Sequence, residues 1–456
     1  MTYHPGCKIK ESPLKAVALW LVLCGMVVSA LTFGLSQSTP TRKMPGSAQP
    51  QANQPQELKV TEYSLPPDKL AKAEALYKIR TVLYLFGLVF GIVVLWVLLK
   101  LRVAPVFRDL AERASKNSFM QALVFAPLLT LVIAVVSLPI DIYEHHISRA
   151  YGLSVQGWGS WAGDWCKAEG VALVIIVPTV FGLFRVIGKS PQRWWFYFWL
   201  LALPFLILLI FVAPVILDPM FNKFEPLEKT RPQLVGEIER VTQRGGLSIP
   251  RDRMFEMEAS AKVTTYNAYV TGIGATKRVV VWDNTSRDLT VPEILFVFGH
   301  EMGHYVLNHV YKGLAFFAAL MLAGFWLGRQ IVNAMLARWG GSWQIRGIND
   351  LAALPVLMLA LSLLTLVAEP IGNAFSRHLE HQADIYGLEV THGLLPNNSE
   401  VAASSFQKLG EKSYDYPTPN RVLVFWSYTH PSIRERIRFS LHYNPWHTSE
   451  GPKYVK

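Results

Sequence analysis

The run His300-Glu301-Met302-Gly303-His304 has the residue types and spacing for metal-assisted hydrolysis. On an α-helix, positions i and i+4 share a face, so both imidazoles can reach one zinc ion. Zinc lowers the pKa of a bound water toward about 7, and the intervening Glu301 can take its proton. The pattern is short enough to arise by accident, as two His on a helix that holds no metal. A catalytic zinc keeps three protein ligands and one open position, so a third ligand must come from elsewhere. The extended metzincin pattern is excluded, because the position it needs for a further His holds Val310. The run from Arg377 to Asp384 offers candidates. On a helix, Glu380 and Asp384 share a face while His381 points about 100° away. Glu380 as ligand, with Asp384 hydrogen-bonded to a ligand His, makes physical sense. His381 or His378 as ligand is the competing reading, and spacing alone leaves the choice open.

These groups need rigid elements. Thr290 to Glu293 fits a capping box, with Pro292 in the first turn and the apolar Ile294, Leu295, Val297 and Phe298 behind it. A helix is therefore expected under the two His. The rest of the chain is greasy: of 456 residues, 51% are hydrophobic and 17% charged. Soluble domains carry about 25% charged residues, so a purely soluble enzyme and a disordered protein are both excluded. Seven stretches are long and apolar enough to span a bilayer: 16–34, 82–99, 120–140, 171–187, 194–217, 314–332 and 351–371. Pro127, Pro178 and Pro204 are tolerated there because neighbouring groups re-satisfy the backbone. The first stretch, within 1–35, is expected as an uncleaved helix or signal-anchor. Residues 36–76 are expected as a flexible polar linker. Helices two to five should fill 77–218, and helices six and seven 311–371. Two water-facing segments, 219–310 with strand-like alternation at 277–282, and 372–456, should assemble one metallopeptidase domain. The expected fold is thus predominantly α, a seven-transmembrane-helix bundle with a small β-hairpin or sheet in its peptidase domain. Three cysteines, Cys7, Cys24 and Cys166, are too few and scattered for a disulfide framework or a cysteine zinc site. The net charge of +11 reads as basic loops beside membrane spans, since no nucleic-acid motif accompanies it.

Five motifs, in order, resemble one family. They are His300 to His309 as H-E-x-G-H-x-x-x-N-H; Asp218 to Phe224 with Pro226-Leu227; Tyr266-Asn267-Ala268-Tyr269 with Gly272 and Lys277 to Val280; Ser376-Arg377 through Glu380 and Ala383-Asp384; and His430-Pro431 with Glu435-Arg436. Together they resemble the CAAX prenyl protease type 1 family and its HtpX-like relatives, which are integral membrane zinc metallopeptidases. The resemblance implies one zinc ion per chain, held by His300, His304 and Glu380, with Glu301 as general base. It implies Asp384 as a partner holding a ligand His, and His430 and Arg436 near the substrate carbonyl and the ligands. It places Asn267, Ala268 and Tyr269 on a strand that would hold the peptide by β-augmentation. The implied function is a zinc endopeptidase acting on a peptide or protein, prenylated or not, in a lipid bilayer. The alternatives are an HtpX-like quality-control protease and, third, a non-catalytic transporter or scaffold with a closed zinc site. The region 143–153 lacks the acidic stretch of the eukaryotic enzyme, and with the long linker this fits a bacterial, inner-membrane member.

Other groups receive plainer readings. His145-His146 is expected as a solvated pair in a loop. His309 lies about 140° off the ligand face of an unbroken helix and is expected to make a structural hydrogen bond. Arg377 is expected as an ion-pair or zinc-site support residue, since a helix-borne Arg beside acids usually pairs. Glu369-Pro370 should close the seventh span at the interface, and Trp194 to Tyr197 should form an interfacial belt. Basic residues crowd two short loops: Lys100, Arg102, Arg108, Arg113 and Lys116 in one, Arg185, Lys189 and Arg193 in the other. The charge rule puts these in the cytoplasm and the catalytic segments outside it. The resemblance to eukaryotic members implies a cytosolic catalytic side instead.

Overall fold

The computed structural model describes residues 60–272 and 277–455. The expected first span, and the linker as far as residue 59, lie outside the described residues. The longer helices are α1 Pro67–Lys100, α2 Val103–Ala114, α3 Ser118–Ala150, α4 Trp158–Lys189, α5 Trp194–Val212 and α6 Pro232–Arg244. They continue with α7 Val291–Val306, α8 His309–Trp339, α9 Leu354–Thr391, α10 Asn398–Ser413 and α11 Ile433–His442. Among the described residues, six helical runs are long and apolar enough to cross a membrane: α1, α3, α4, Trp194–Phe221, α8 and Leu351–Thr391. The sequence reading of seven is matched by six here.

Two boundaries differ from expectation. Helix α1 starts at Pro67 rather than 77, with Pro in its first turn, where a missing N–H costs nothing. Just before it, Tyr63 is buried and donates its hydroxyl to the Asp415 carbonyl at 2.8 Å. Lys69 pairs with Glu411. The polar composition of 60–76 concealed these anchors, because their partners lie far away in sequence. The seventh span does not end at 371: α9, 38 residues long with Pro370 inside it, continues to Thr391. One rigid rod therefore carries both a membrane segment and Glu380.

The membrane helices pack around Phe125, Leu129, Ile187, Val356 and Leu357. At one end Arg108 pairs with Asp350 at 2.6 Å, and Arg346 with Glu112 at 2.7 Å. At the other end the Val155 amide donates to Lys262 O at 2.8 Å, and the Thr264 amide to Leu153 O at 3.1 Å. The two polar segments thus sit at the opposite end from the basic residues 100–116, which form mostly helix α2 rather than the expected loop.

The polar segment 219–310 contains a four-stranded mixed sheet. Its strands are β1 Phe224–Pro226, β2 Met254–Met257, β3 Ala268–Thr271 and β4 Arg278–Trp282, in the order β1-β2-β4-β3. The β2–β4 pair is parallel and the other two pairs are antiparallel. Strand β4 is buried on both faces: Val279 and Val281 face the α7 core with Ala268, while Val280 and Trp282 join Tyr269 on the other side. Among the described residues, strand β3 has a sheet neighbour on one side only, which makes it an edge.

Candidate metal centre

Helix α7 starts as its sequence demands. The Thr290 amide and hydroxyl donate to Glu293 Oε2 at 2.8 and 2.9 Å, completing the capping box. Glu293 also accepts from Lys408 and Ser404 of α10, each at 2.7 Å, so the cap doubles as a clamp. Every residue from Glu293 to His304 is buried. Glycines set how closely α9 approaches. A Cβ on Gly387 would lie 3.0 Å from the His300 nitrogen and 3.2 Å from its Cα, and one on Gly299 2.9 Å from Val390 Cγ1. One on Gly303 would lie 3.0 Å from Tyr386 Cβ. Larger residues at these positions would push α9, and Glu380 with it, away from the two His.

The approach brings three groups together. His300 Nε2 lies 3.2 Å from His304 Nε2. Glu380 Oε2 is 3.3 Å from His300 Nε2, and its Oε1 is 3.4 Å from His304 Nε2. Ligands at about 2.0–2.1 Å on a tetrahedral zinc stand about 3.3–3.4 Å apart, so the spacing suits that ion. Glu380 Oε2 is buried, with the imidazole nitrogens of His300 and His430 at 3.3 and 3.2 Å. Two buried Nε2 atoms and a carboxylate aimed at one point form a donor set that a cation satisfies. Electrostatics agree. Burial opposes charge on His300, but hydrogen bonds to Asp384 and Glu380 outweigh it and hold its pKa up to about 9. Burial holds His304 well below the usual imidazole range, against the pull of Glu380. Burial pushes the Glu301 carboxyl up to about 7, partly countered by His300, a value suited to a group that takes and returns a proton.

Supporting groups surround the trio. His300 Nδ1 lies 2.8 Å from Asp384 Oδ1, and Arg436 grips the same carboxylate at 2.5 and 2.9 Å. His430 Nε2 is 3.2 Å from Glu380 Oε2, and its Nδ1 is 2.9 Å from Thr429 Oγ1. The segment carrying His430 is held by α9: Arg377 donates to the Val424 and Tyr428 carbonyls at 3.1 and 2.5 Å, and Asn373 to the Trp426 carbonyl. Of the two expected roles for Arg377, ion pair or support of the site, these contacts to loop carbonyls fit the second. His381 is exposed with its ring 4.5 Å from Phe439, and His378 is exposed and bonded to Gln382, so neither joins the trio. Asn267, Ala268 and Tyr269 lie at and within edge strand β3. Ala268 packs on the α7 side, but Tyr269 turns its ring to the opposite face. The Trp282 amide donates to the Asn267 carbonyl, so in this antiparallel register the Tyr269 backbone faces β4 and the Ala268 backbone faces the open edge.

Three plainer readings change. His145 sits inside α3, buried with its ring 4.7 Å from Trp158 and 5.2 Å from Trp161, because the helix runs past the expected loop. Glu369 lies within α9 and accepts from the Tyr84 hydroxyl of α1 at 2.9 Å. Trp194 is buried in the bundle core, leaving Phe196 and Tyr197 as the exposed aromatics of the proposed belt.

The chain was compared with known families and structures. Residues 48–223 match the family profile described as CAAX prenyl protease N-terminal, five membrane helices. Residues 228–443 match that of peptidase family M48. The chain is 36% identical over 372 residues to a Bacillus subtilis protein named uncharacterized metalloprotease YhfN, covering 82% of this chain and 85% of that one. The chain belongs to peptidase family M48. The M48 chain is also 31% identical over 202 residues to CAAX prenyl protease 1 of Saccharomyces cerevisiae, 44% of each protein. The crystal structure of S. mikatae Ste24p superposes with a TM-score of 0.71 at 22% identity, covering 96% of this chain and 100% of that one, which establishes a common fold. This M48 protein is accordingly a zinc-dependent metalloendopeptidase and a multi-pass membrane protein, with a peptide or protein as substrate and the lipid bilayer as its surroundings.

Proposed function

We propose that His300, His304 and Glu380 hold the zinc and that the site cuts an extended peptide, as a CAAX prenyl protease 1-like enzyme. One observation carries this: the trio converges within 4.8 Å, and among the described residues no fourth His, Cys, Asp or Glu joins that group. Three protein ligands suit catalysis, whereas a scaffold's structural zinc takes four. The bound ion would supply a water of lowered pKa and a Lewis-acidic seat for the scissile carbonyl oxygen. The Glu301 carboxylate takes the proton of the attacking water and passes it to the leaving amine. His430, beside Glu380, donates through Nε2 to the developing oxyanion. Asp384 and Arg436 fix the tautomer of His300. The free edge of β3 pairs with the peptide backbone, and the buried Asn267 Oδ1, which makes no hydrogen bond, offers it an acceptor.

The relatives named CAAX prenyl protease 1 favour a prenylated end, whereas an HtpX-like role predicts unfolded membrane proteins. The purified protein should cleave a farnesylated C-terminal peptide faster than its unmodified twin. Cleavage of a denatured membrane protein alone would move the assignment to quality control. For orientation in a bacterial inner membrane, the charge rule applied to the basic end places the catalytic end outside the cytoplasm. Reporter fusions in the 185–193 loop and at the C-terminus should report opposite sides, and a cytoplasmic C-terminus would reverse the assignment.

A further inference from the structure

Helices α7 and α8 do not merge. Asn308 between them has a left-handed backbone with φ of 59°, a conformation that Asn adopts more readily than most residues. In an unbroken helix His309 would point about 140° away from His304. The break instead folds it back, fully buried, with its Nδ1 3.0 Å from Nδ1 of His304. On its other side His309 Nε2 lies 3.0 Å from Gln382 Oε1. Gln382 Nε2 lies 3.1 Å from Nε2 of the exposed His378.

The proton positions along this chain follow from chemistry. His304 aims Nε2 at His300 and Glu380, so a metal takes that lone pair and the ring's proton sits on Nδ1. His309 must then accept at Nδ1, which puts its own proton on Nε2 for Gln382 Oε1. The amide nitrogen of Gln382 donates onward to His378. Each ring has one tautomer that satisfies both of its neighbours.

We propose that His309 is a positioning residue for His304. It is a neutral imidazole, locked by Gln382, that accepts the His304 Nδ1–H and fixes that ring's tautomer and aim. The inference rests on the ligand role proposed for His304. It makes the centre asymmetric, since His300 leans on the carboxylate of Asp384 and His304 on an uncharged ring. The asymmetry has a charge rationale. With Glu301 ionised, the formal charges of Zn²⁺ and Arg436 balance those of Glu380, Asp384 and Glu301. A carboxylate in place of His309 would leave a buried negative charge uncompensated.

The test uses the full-length protein in detergent, with zinc affinity read by chelator competition and ligand geometry by the absorption spectrum of the cobalt(II) form. His309→Phe keeps a ring but removes the acceptor. It should weaken zinc about 10–100-fold and alter the cobalt spectrum, as loss of a hydrogen-bond partner to a metal-bound His does. His309→Gln, whose amide oxygen can accept, should recover much of the affinity. A purely structural role for His309 would move neither the spectrum nor this rescue. Gln382→Leu, at a half-buried site, should weaken zinc in the same direction by less. A folded His309→Phe protein with wild-type affinity and spectrum would overturn the proposal. Should that variant not fold, wild-type affinity in Gln382→Leu overturns it equally. His304→Ala separates the two levels: if it keeps wild-type zinc affinity, the ligand assignment itself fails.

Discussion

Glu301→Gln should lower turnover of a cleavable peptide by about 10²–10⁴-fold while the protein keeps its zinc, the range expected for losing a positioned acid–base group. The substitution preserves shape in a site where Glu301 is only 3% exposed, so packing is nearly unchanged. What it removes is proton affinity, since an amide cannot take a proton from water at neutral pH. Metal retention follows because Glu301 is not in the convergent trio of His300, His304 and Glu380. The loss should fall on kcat, because the change does not touch β3, the edge strand proposed to hold the peptide. Zinc analysis of the purified variant and single-turnover peptide cleavage decide the matter. Wild-type cleavage would mean that another group is the base; loss of zinc would mean that Glu301 holds the metal.

Glu301 was legible in the sequence because its neighbours follow a fixed period. The capping box at Thr290 and the spacing of His300 and His304 specify a helix and one face of it. Glu380 was harder. Helical period shows that Glu380 and Asp384 share a face, but not which face of α9 meets α7. The close approach at Gly387 decides that, since a Cβ there would lie 3.0 Å from the nitrogen of His300. Gly299 and Gly303 form a small-xxx-small pattern, a sequence signal that marks the contact face of α7 but leaves the face of α9 open. The folding back of His309 was invisible to helical geometry, since the reading assumed a continuous helix and no Gly or Pro marks the break. A single left-handed Asn is a weak signal, because Asn also occurs inside helices at a modest cost. The early start of α1 escaped notice for another reason: its anchors, Asp415 and Glu411, lie more than 300 residues away in sequence.

Removing the Arg436 guanidinium should do the most damage to stability. Its side chain is almost entirely buried, grips both oxygens of Asp384, and lies 4.2 Å over the Phe406 ring. Arg436→Met keeps much of the volume but strands a buried carboxylate whose remaining partner is His300. Breaking a buried pair from one side costs about 3–5 kcal/mol, a large share of the roughly 5–15 kcal/mol that holds a domain together. The thermal midpoint in detergent should fall sharply, and zinc retention should fall with it, because Asp384 then has no cation to hold it against His300. Asp384→Leu alone should also destabilise, by stranding the arginine. The double variant Arg436→Met with Asp384→Leu should regain stability over either single change, since no lone charge remains inside. It should not regain zinc affinity, because His300 Nδ1 still lacks its acceptor. Stability would thus follow the charge pair while metal affinity follows the His300–Asp384 bond. A double variant that recovered both would show that Asp384 matters only as the partner of Arg436.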